Sequence, residues 1–105
     1  MIEKMPRPDW QPLRRRGTTG VSGRVLLNRS GIVVANLKLA PGATIDEHSA
    51  PIEIDVICLE GQGFVSIDGQ SSPFHAGERV LWPVGIKHCL WTEDSAMETL
   101  MVERG

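Results

Sequence analysis

The side chains in this chain best suited to chemistry are two histidines, His48 and His88. Each sits in an apolar stretch punctuated by glycine and proline: PGATIDEHSAPIEIDVICLEGQG over 41–63 and GERVLWPVGIKHCLW over 77–91. Neutral imidazole is a common ligand for iron, manganese, nickel, copper and zinc, and two imidazoles with one carboxylate and open positions suit metal-assisted oxygen or hydrolytic chemistry. Carboxylates stand near the first histidine at Asp46, Glu47, Glu53 and Asp55, and thiols at Cys58 and Cys89. Asp46 and Glu47, at the entrance to a strand, read as solvated charges, and His75, outside both stretches, as a surface histidine. The chain has no nucleophile elbow, phosphate loop or Cys-x-x-Cys pair, which sets aside nucleophilic hydrolases and nucleotide enzymes.

The elements that must position these histidines are strands. From Val21, two β-rich runs flank Asn28-Arg29-Ser30-Gly31, whose residues suit a hairpin turn. Val33, Ala35, Leu37 and Leu39 alternate with Val34, Asn36 and Lys38, the period of a strand with one drier face. Pro41-Gly42 is expected to stop that strand. Ile52 to Leu59 follows as a strand with Ile54, Val56 and Cys58 on one side and Glu53, Asp55, Ile57 and Leu59 on the other. Gly61-Gln62-Gly63 is expected to turn the chain, and Asp68-Gly69 to close a two-residue hairpin of the primed type. Strands over 79–82, 87–92 and 97–103 complete the series, with Pro83-Val84-Gly85 a tight turn. No long segment has helical period, and many short strands between Gly and Pro turns indicate an all-β sandwich or barrel.

The two histidine stretches carry a further pattern. The first reads glycine, five residues, His48, then an apolar strand closing on Glu60-Gly61-Gln62-Gly63; the second reads glycine, five residues, Pro83-Val84-Gly85, two residues, His88. This pair resembles the two signature motifs of the cupin family, over roughly residues 32 to 92. The resemblance implies a jelly-roll barrel, a double-stranded β-helix, with the motifs on neighbouring strands and His48 and His88 together in the interior. It also implies a divalent transition metal (Fe, Mn, Ni, Cu or Zn) as cofactor and a homodimer.

The first motif departs from the family pattern. Its second histidine is replaced by Ala50, and its glutamate position, counted back seven from Gly61, falls on Ile54. Two registers follow. With Ile54, Val56 and Cys58 inward, the pocket holds the two histidines and otherwise mostly apolar atoms, Ala50, Leu90 and Thr92 among its lining. With Asp55 inward, a site of two histidines and one carboxylate exists, and Cys58 turns out. The first is preferred, because the glycine spacing is the better preserved part of the motif and a slip of one residue exchanges the whole buried face. Cys89 and Trp91, next to residues sharing the histidine's face, are expected to point away from the pocket, while Trp82 lines it or forms an interface.

Composition bounds the rest. At 105 residues, 41% of them hydrophobic and 23% charged, the chain is expected to be a single globular domain. No apolar run approaches the ~18 residues of a membrane span, and a net charge of −2 gives no reason to expect nucleic acid as partner. The opening MIEKMPRPDWQPLRRRG lacks the apolar core of a signal peptide and the two cysteines are too few for a disulfide framework, so a cytoplasmic protein with free thiols is expected. Residues 1–20, rich in Pro and Gly, read as an N-terminal arm, pinned through Trp10 and Leu13 or left loose, with residues 21–105 as the barrel.

Two functional readings remain. One is a small cupin that binds a small organic molecule through a metal on His48 and His88, with Asp55 as third ligand and dioxygenase, isomerase or lyase chemistry implied by the resemblance. The other is a metal-free binding or sensor module, or a non-catalytic subunit, that keeps the barrel as a scaffold.

Overall fold

The computed structural model describes residues 1–105 as eight strands: β1 (Arg7–Pro12), β2 (Thr18–Arg29), β3 (Ile32–His48), β4 (Glu53–Ile67), β5 (Gln70–His75), β6 (Arg79–Trp82), β7 (His88–Trp91) and β8 (Met97–Arg104). All pairings are antiparallel. No helix in the chain is long and apolar enough to cross a membrane.

Two long strands close the barrel by changing partners midway. The first part of β3 lies between β2 and β8, with Leu39 opposite Met97, while its last part pairs with β7, with Thr44 opposite Trp91. β4 does the same: Glu53 to Gly61 pairs with β8, and Phe64 to Ile67 with β7. Each strand changes partner at a glycine with positive φ, Gly42 at 72° and Gly61 at 77°. A strand that must bend sharply to serve two sheets needs such a residue at the corner. The ends expected at Pro41-Gly42 and Gly61-Gln62-Gly63 are therefore bends within continuous strands, since one local signal serves for both a turn and a corner.

Asp68 and Gly69, at φ 51° and 79°, make the expected primed hairpin turn between Ile67 and Gln70. In β4 the inward register carries Ile54, Val56 and Cys58, which are buried with Leu37, Leu39, Ile45, Leu90, Met97 and Met101 in one continuous core. Thr99 faces the same interior and is fully covered. Parity along β4 and β8 thus separates an interior face from an outer one carrying Asp55, Ile57, Leu100 and Val102.

The arm expected over residues 1–20 is largely sheet. β1 lies on the outer edge of β2, with Gln11 opposite Gly23 and Pro12 opposite Ser22, and β2 already begins at Thr18. Prolines are tolerated there because an edge strand leaves one row of N–H positions unused. Trp10 holds the edge down: the Arg24 guanidinium lies 4.5 Å and the Lys38 ammonium 4.2 Å from its ring centre. Leu13 packs against the core, and its N–H donates to the Val21 carbonyl at 2.8 Å.

Candidate functional site

His48 is the last residue of β3 and His88 the first of β7, and the two face each other across that pairing. The chain reaches His88 through the Pro83-Val84-Gly85 turn. That turn is tied to the first motif by the Gly85 N–H, which donates to the Ala50 carbonyl at 2.8 Å. Residues forty apart are thereby held with their Nε2 atoms 3.2 Å from each other and their rings at 75°. Trp82, from β6, stacks on His88 at 3.9 Å between centroids and 8° between planes, and meets His48 edge-on at 6.4 Å.

The protonation pattern follows from the partners. His48 Nδ1 lies 2.8 Å from the Asp46 carbonyl, which only accepts, so Nδ1 carries the proton and Nε2 the lone pair. His88 Nε2–H then donates to His48 Nε2, which leaves His88 Nδ1 as a bare lone pair, buried and without a partner. The indole N–H of Trp82 is likewise buried and unpartnered. Burial above all, then the neighbouring His48 and, further off, Arg15, lower the His88 pKa from 6.5 to about 4. The backbone of Ile86 acts the other way, although Nδ1 makes no hydrogen bond of ordinary distance and angle. His88 is therefore neutral at pH 7, the form that binds metals or accepts a proton.

A cavity of about 70 Å³ opens beside the pair, walled by Leu13, Leu37, Ile45, Ile54, Trp82 and Met101, with His48, Arg15, Thr18 and Glu103 as its polar groups. It has room for about two waters at ~30 Å³ each. Just outside it, a groove of about 390 Å³ is lined by Arg15, Arg16, Gly17, Thr18, Ile45, Asp46, Glu47 and His48. His48, Arg15, Thr18 and Ile45 border both spaces. A larger depression, about 540 Å³ around Lys38, Glu60, Met97 and Glu98, contains neither histidine nor aromatic residue. Donor chemistry, not size, marks the histidine end as the site.

Asp55 is not brought to the histidines. Opposite Leu81 and Val102 on the outer face of β4, its carboxylate accepts from Arg104 at 2.8 Å. The one-residue slip that would turn it inward does not occur, because Ile54, Val56 and Cys58 fill the interior. Of the expected pocket residues, Ile54 borders the cavity. Val56, Cys58 and Leu90 are 0–1% exposed and belong to the solid core. Cys58 Sγ donates to the Glu60 and Gly61 carbonyls, and burial raises its pKa, which keeps the thiol inert. Thr92, just past β7, donates its hydroxyl to the Ala40 carbonyl and accepts the Ala43 N–H, a structural role. Ala50 packs against the core beside the Gly85 contact. Trp91 stacks on Phe64 at 5.6 Å, away from the site. No third His, Cys, Asp or Glu joins the histidines in a group placed to hold a metal.

Sequence reasoning overlooked three polar residues on the cavity. Glu103 was within reach of it: Met97, Thr99 and Met101 alternate inward along β8, and the same parity carries Glu103 to the barrel mouth. Arg15 and Thr18 had no such signal, since their position depends on a turn in the arm.

A jelly-roll barrel closed by two bent strands is the fold expected of the cupin class, and His48 and His88 stand at its mouth. A family model described as the cupin domain matches residues 36–103, and the chain belongs to that family. Among solved structures, the polyketide cyclase RemF from Streptomyces resistomycificus is similar over 99% of this chain and 80% of its own, at a TM-score of 0.86 and 20% identity. A predicted oxalate decarboxylase from Thermotoga maritima shares 24% identity, with 93% and 91% of the two chains covered and a TM-score of 0.81. A conserved protein of unknown function from Streptococcus pyogenes is 27% identical over 80% of this chain and 73% of its own, with a TM-score of 0.73. The likeness to the first two is one of fold. No curated protein matches the chain in sequence.

Proposed function

We propose that this cupin binds a small organic molecule at the barrel mouth, its head in the cavity between His48 and Trp82 and its remainder in the adjoining groove, through a divalent metal on the Nε2 atoms of His48 and His88. The observation that carries the reading is the 3.2 Å separation of those two nitrogens. At metal–nitrogen distances of ~2.0–2.1 Å, nitrogens that close could both reach one shared divalent ion. The Asp46 carbonyl supports it by holding the His48 proton on Nδ1, as an outer partner of a metal-bound histidine does.

His88 must move its proton from Nε2 to Nδ1 to take part, giving up its hydrogen bond to His48. The unpartnered Nδ1, with the Ile86 backbone beside it, is a vacant place for that proton. With only two ligands from the chain, the organic ligand and solvent complete the shell. A metal bound there would polarise an oxygen of the ligand, while Ile45, Ile54 and Met101 give the cavity apolar walls for the hydrocarbon part and Trp82 offers a flat one. That barrels of this shape serve a polyketide cyclase and a predicted oxalate decarboxylase supports an organic ligand without choosing the reaction. The metal-free binding module is the second reading, favoured by the outward position of Asp55.

Calorimetric titration of tag-free protein with Zn(II), Ni(II) and Mn(II) separates the two. A single site is expected for at least one ion. His48→Ala and His88→Ala should each weaken it by more than the tenfold to hundredfold loss typical of outer-shell changes, about a hundredfold or beyond. Asp55→Asn should leave it unchanged and alter stability by less than ~1 kcal/mol, the range of an exposed ion pair. Absence of any site in the wild type would leave the metal-free reading in force.

A further inference from the structure

We infer that the ligand is a small organic anion and that Arg15, carried over the barrel mouth by the N-terminal arm, is the residue that recognises its carboxylate. The inference rests on the ligand-binding reading of the histidine site and names the chemical class of ligand.

Arg15 borders both the inner cavity and the outer groove, as His48 does, so a molecule spanning the two spaces passes both residues. Its position is built into the fold. The Thr18 N–H donates to the Arg15 carbonyl at 3.1 Å, and the Thr18 hydroxyl is 2.6 Å from the same oxygen and 2.9 Å from that of Leu13. Two residues after Arg15, the Gly17 carbonyl accepts the Asp46 N–H at 2.7 Å, tying the turn to β3 two residues before His48. Arg15 and His48 are thereby held on one short frame.

The guanidinium has no partner. The ion pairs of the molecule are His75 with Glu78 and Arg104 with Asp55, both elsewhere. Three carboxylates border these spaces, and none reaches Arg15. Asp46 accepts from the Thr44 hydroxyl at 3.3 Å. Its carboxylate lies against Gly17 on the arm turn, and neither it nor Glu47 forms an ion pair with Arg15. Glu103 remains as the one carboxylate on the inner cavity, and it confines an anion to the Arg15 side of the mouth. A planar fork of donors left free beside His48 and an apolar wall matches a carboxylate whose hydrocarbon part enters the cavity.

The test uses acid and amide pairs of nearly equal shape: lactate with lactamide, benzoate with benzamide, salicylate with salicylamide. Each is titrated calorimetrically at one ionic strength into wild type, Arg15→Gln, Arg15→Lys and His48→Ala, with urea unfolding to show that the variants are folded. The expected result is that the wild type binds at least one acid more tightly than its amide by about tenfold to a hundredfold, the range for a hydrogen bond to a charged group. Arg15→Gln should erase that preference and Arg15→Lys should keep part of it. An acid preference that survives Arg15→Gln, or none in the wild type, overturns the inference. Acids and amides bound equally, and lost in His48→Ala, would overturn the anion assignment while leaving the site reading intact; no binding by any member would count against both.

Discussion

Lowering the pH from 7 to 4 is expected to cost the metal-free protein up to about 3 kcal/mol through His88 alone. The estimate follows from a folded pKa of about 4 against 6.5 and ~1.4 kcal/mol per unit. At pH 7 the folded ring is neutral and the unfolded one mostly so, and the pH dependence there is small. As the pH falls below the unfolded value, the unfolded chain takes up a proton that the buried ring refuses, so the folded state loses ground until the pH reaches its own lower pKa. Below that both states are charged and the loss levels off. The ring resists protonation first because it is 1% exposed under Trp82, and second because a cation there would face His48. Carboxylates titrate in part of the same range, so the quantity to measure is the difference between wild type and His88→Gln in urea unfolding across pH 4–7. Parallel curves for the two proteins would show that His88 is not the buried neutral group described here.

Gly61→Ala is expected to cost about 3 kcal/mol or more, the combined effect of a left-handed backbone that disfavours a side chain and a collision the core cannot relieve. The new Cβ would run into the Ala96 carbonyl and crowd the Met97 backbone, where β4 leaves β8 to join β7. Neither neighbour can swing aside: the Ala96 oxygen accepts the Gln62 N–H, and Met97 is buried. Gly42→Ala is the control. It has the same sign of φ but nothing within 4 Å of the added carbon, so only the backbone cost of ~1 kcal/mol applies. Equal urea midpoints for the two variants would remove the close packing at the Gly61 corner from the explanation of how the barrel closes.

The parts of the fold that local chemistry dictates were open to reading from the chain. Alternation grouped Ile54, Val56 and Cys58 on one face, the glycine spacing of the motif favoured that face as the buried one, and Asp68-Gly69 declared its turn because both residues tolerate positive φ. The pairing of His48 with His88 could not come from either segment alone; the spacing of glycines and proline that resembles the cupin motifs supplied it. Some signals have two physical outcomes: the glycines at Gly42 and Gly61 suit a strand end, yet the same positive φ lets a strand bend and continue. β1 was missed because its prolines rule out a central strand and leave an edge strand open. The outward turn of Asp55 matched the preferred register, but its partner Arg104 lies on another strand, beyond local reading. Glu103 was recoverable from parity on β8. Arg15 was not, because the turn that fixes it depends on Thr18 bonding back to Leu13 and Arg15 and on the contact of Gly17 with β3.

The most direct test of the central claim is a two-dimensional nitrogen–proton spectrum of the histidine side chains at pH 7, with and without one equivalent of Zn(II). Metal-free protein should show His48 protonated at Nδ1 and a neutral His88 protonated at Nε2; zinc should shift Nε2 of both residues and transfer the His88 proton to Nδ1, leaving His75 unmoved. A His88 that is charged at pH 7, or a pair of spectra in which zinc moves neither His48 nor His88, would contradict the account of these two residues as one metal-competent site.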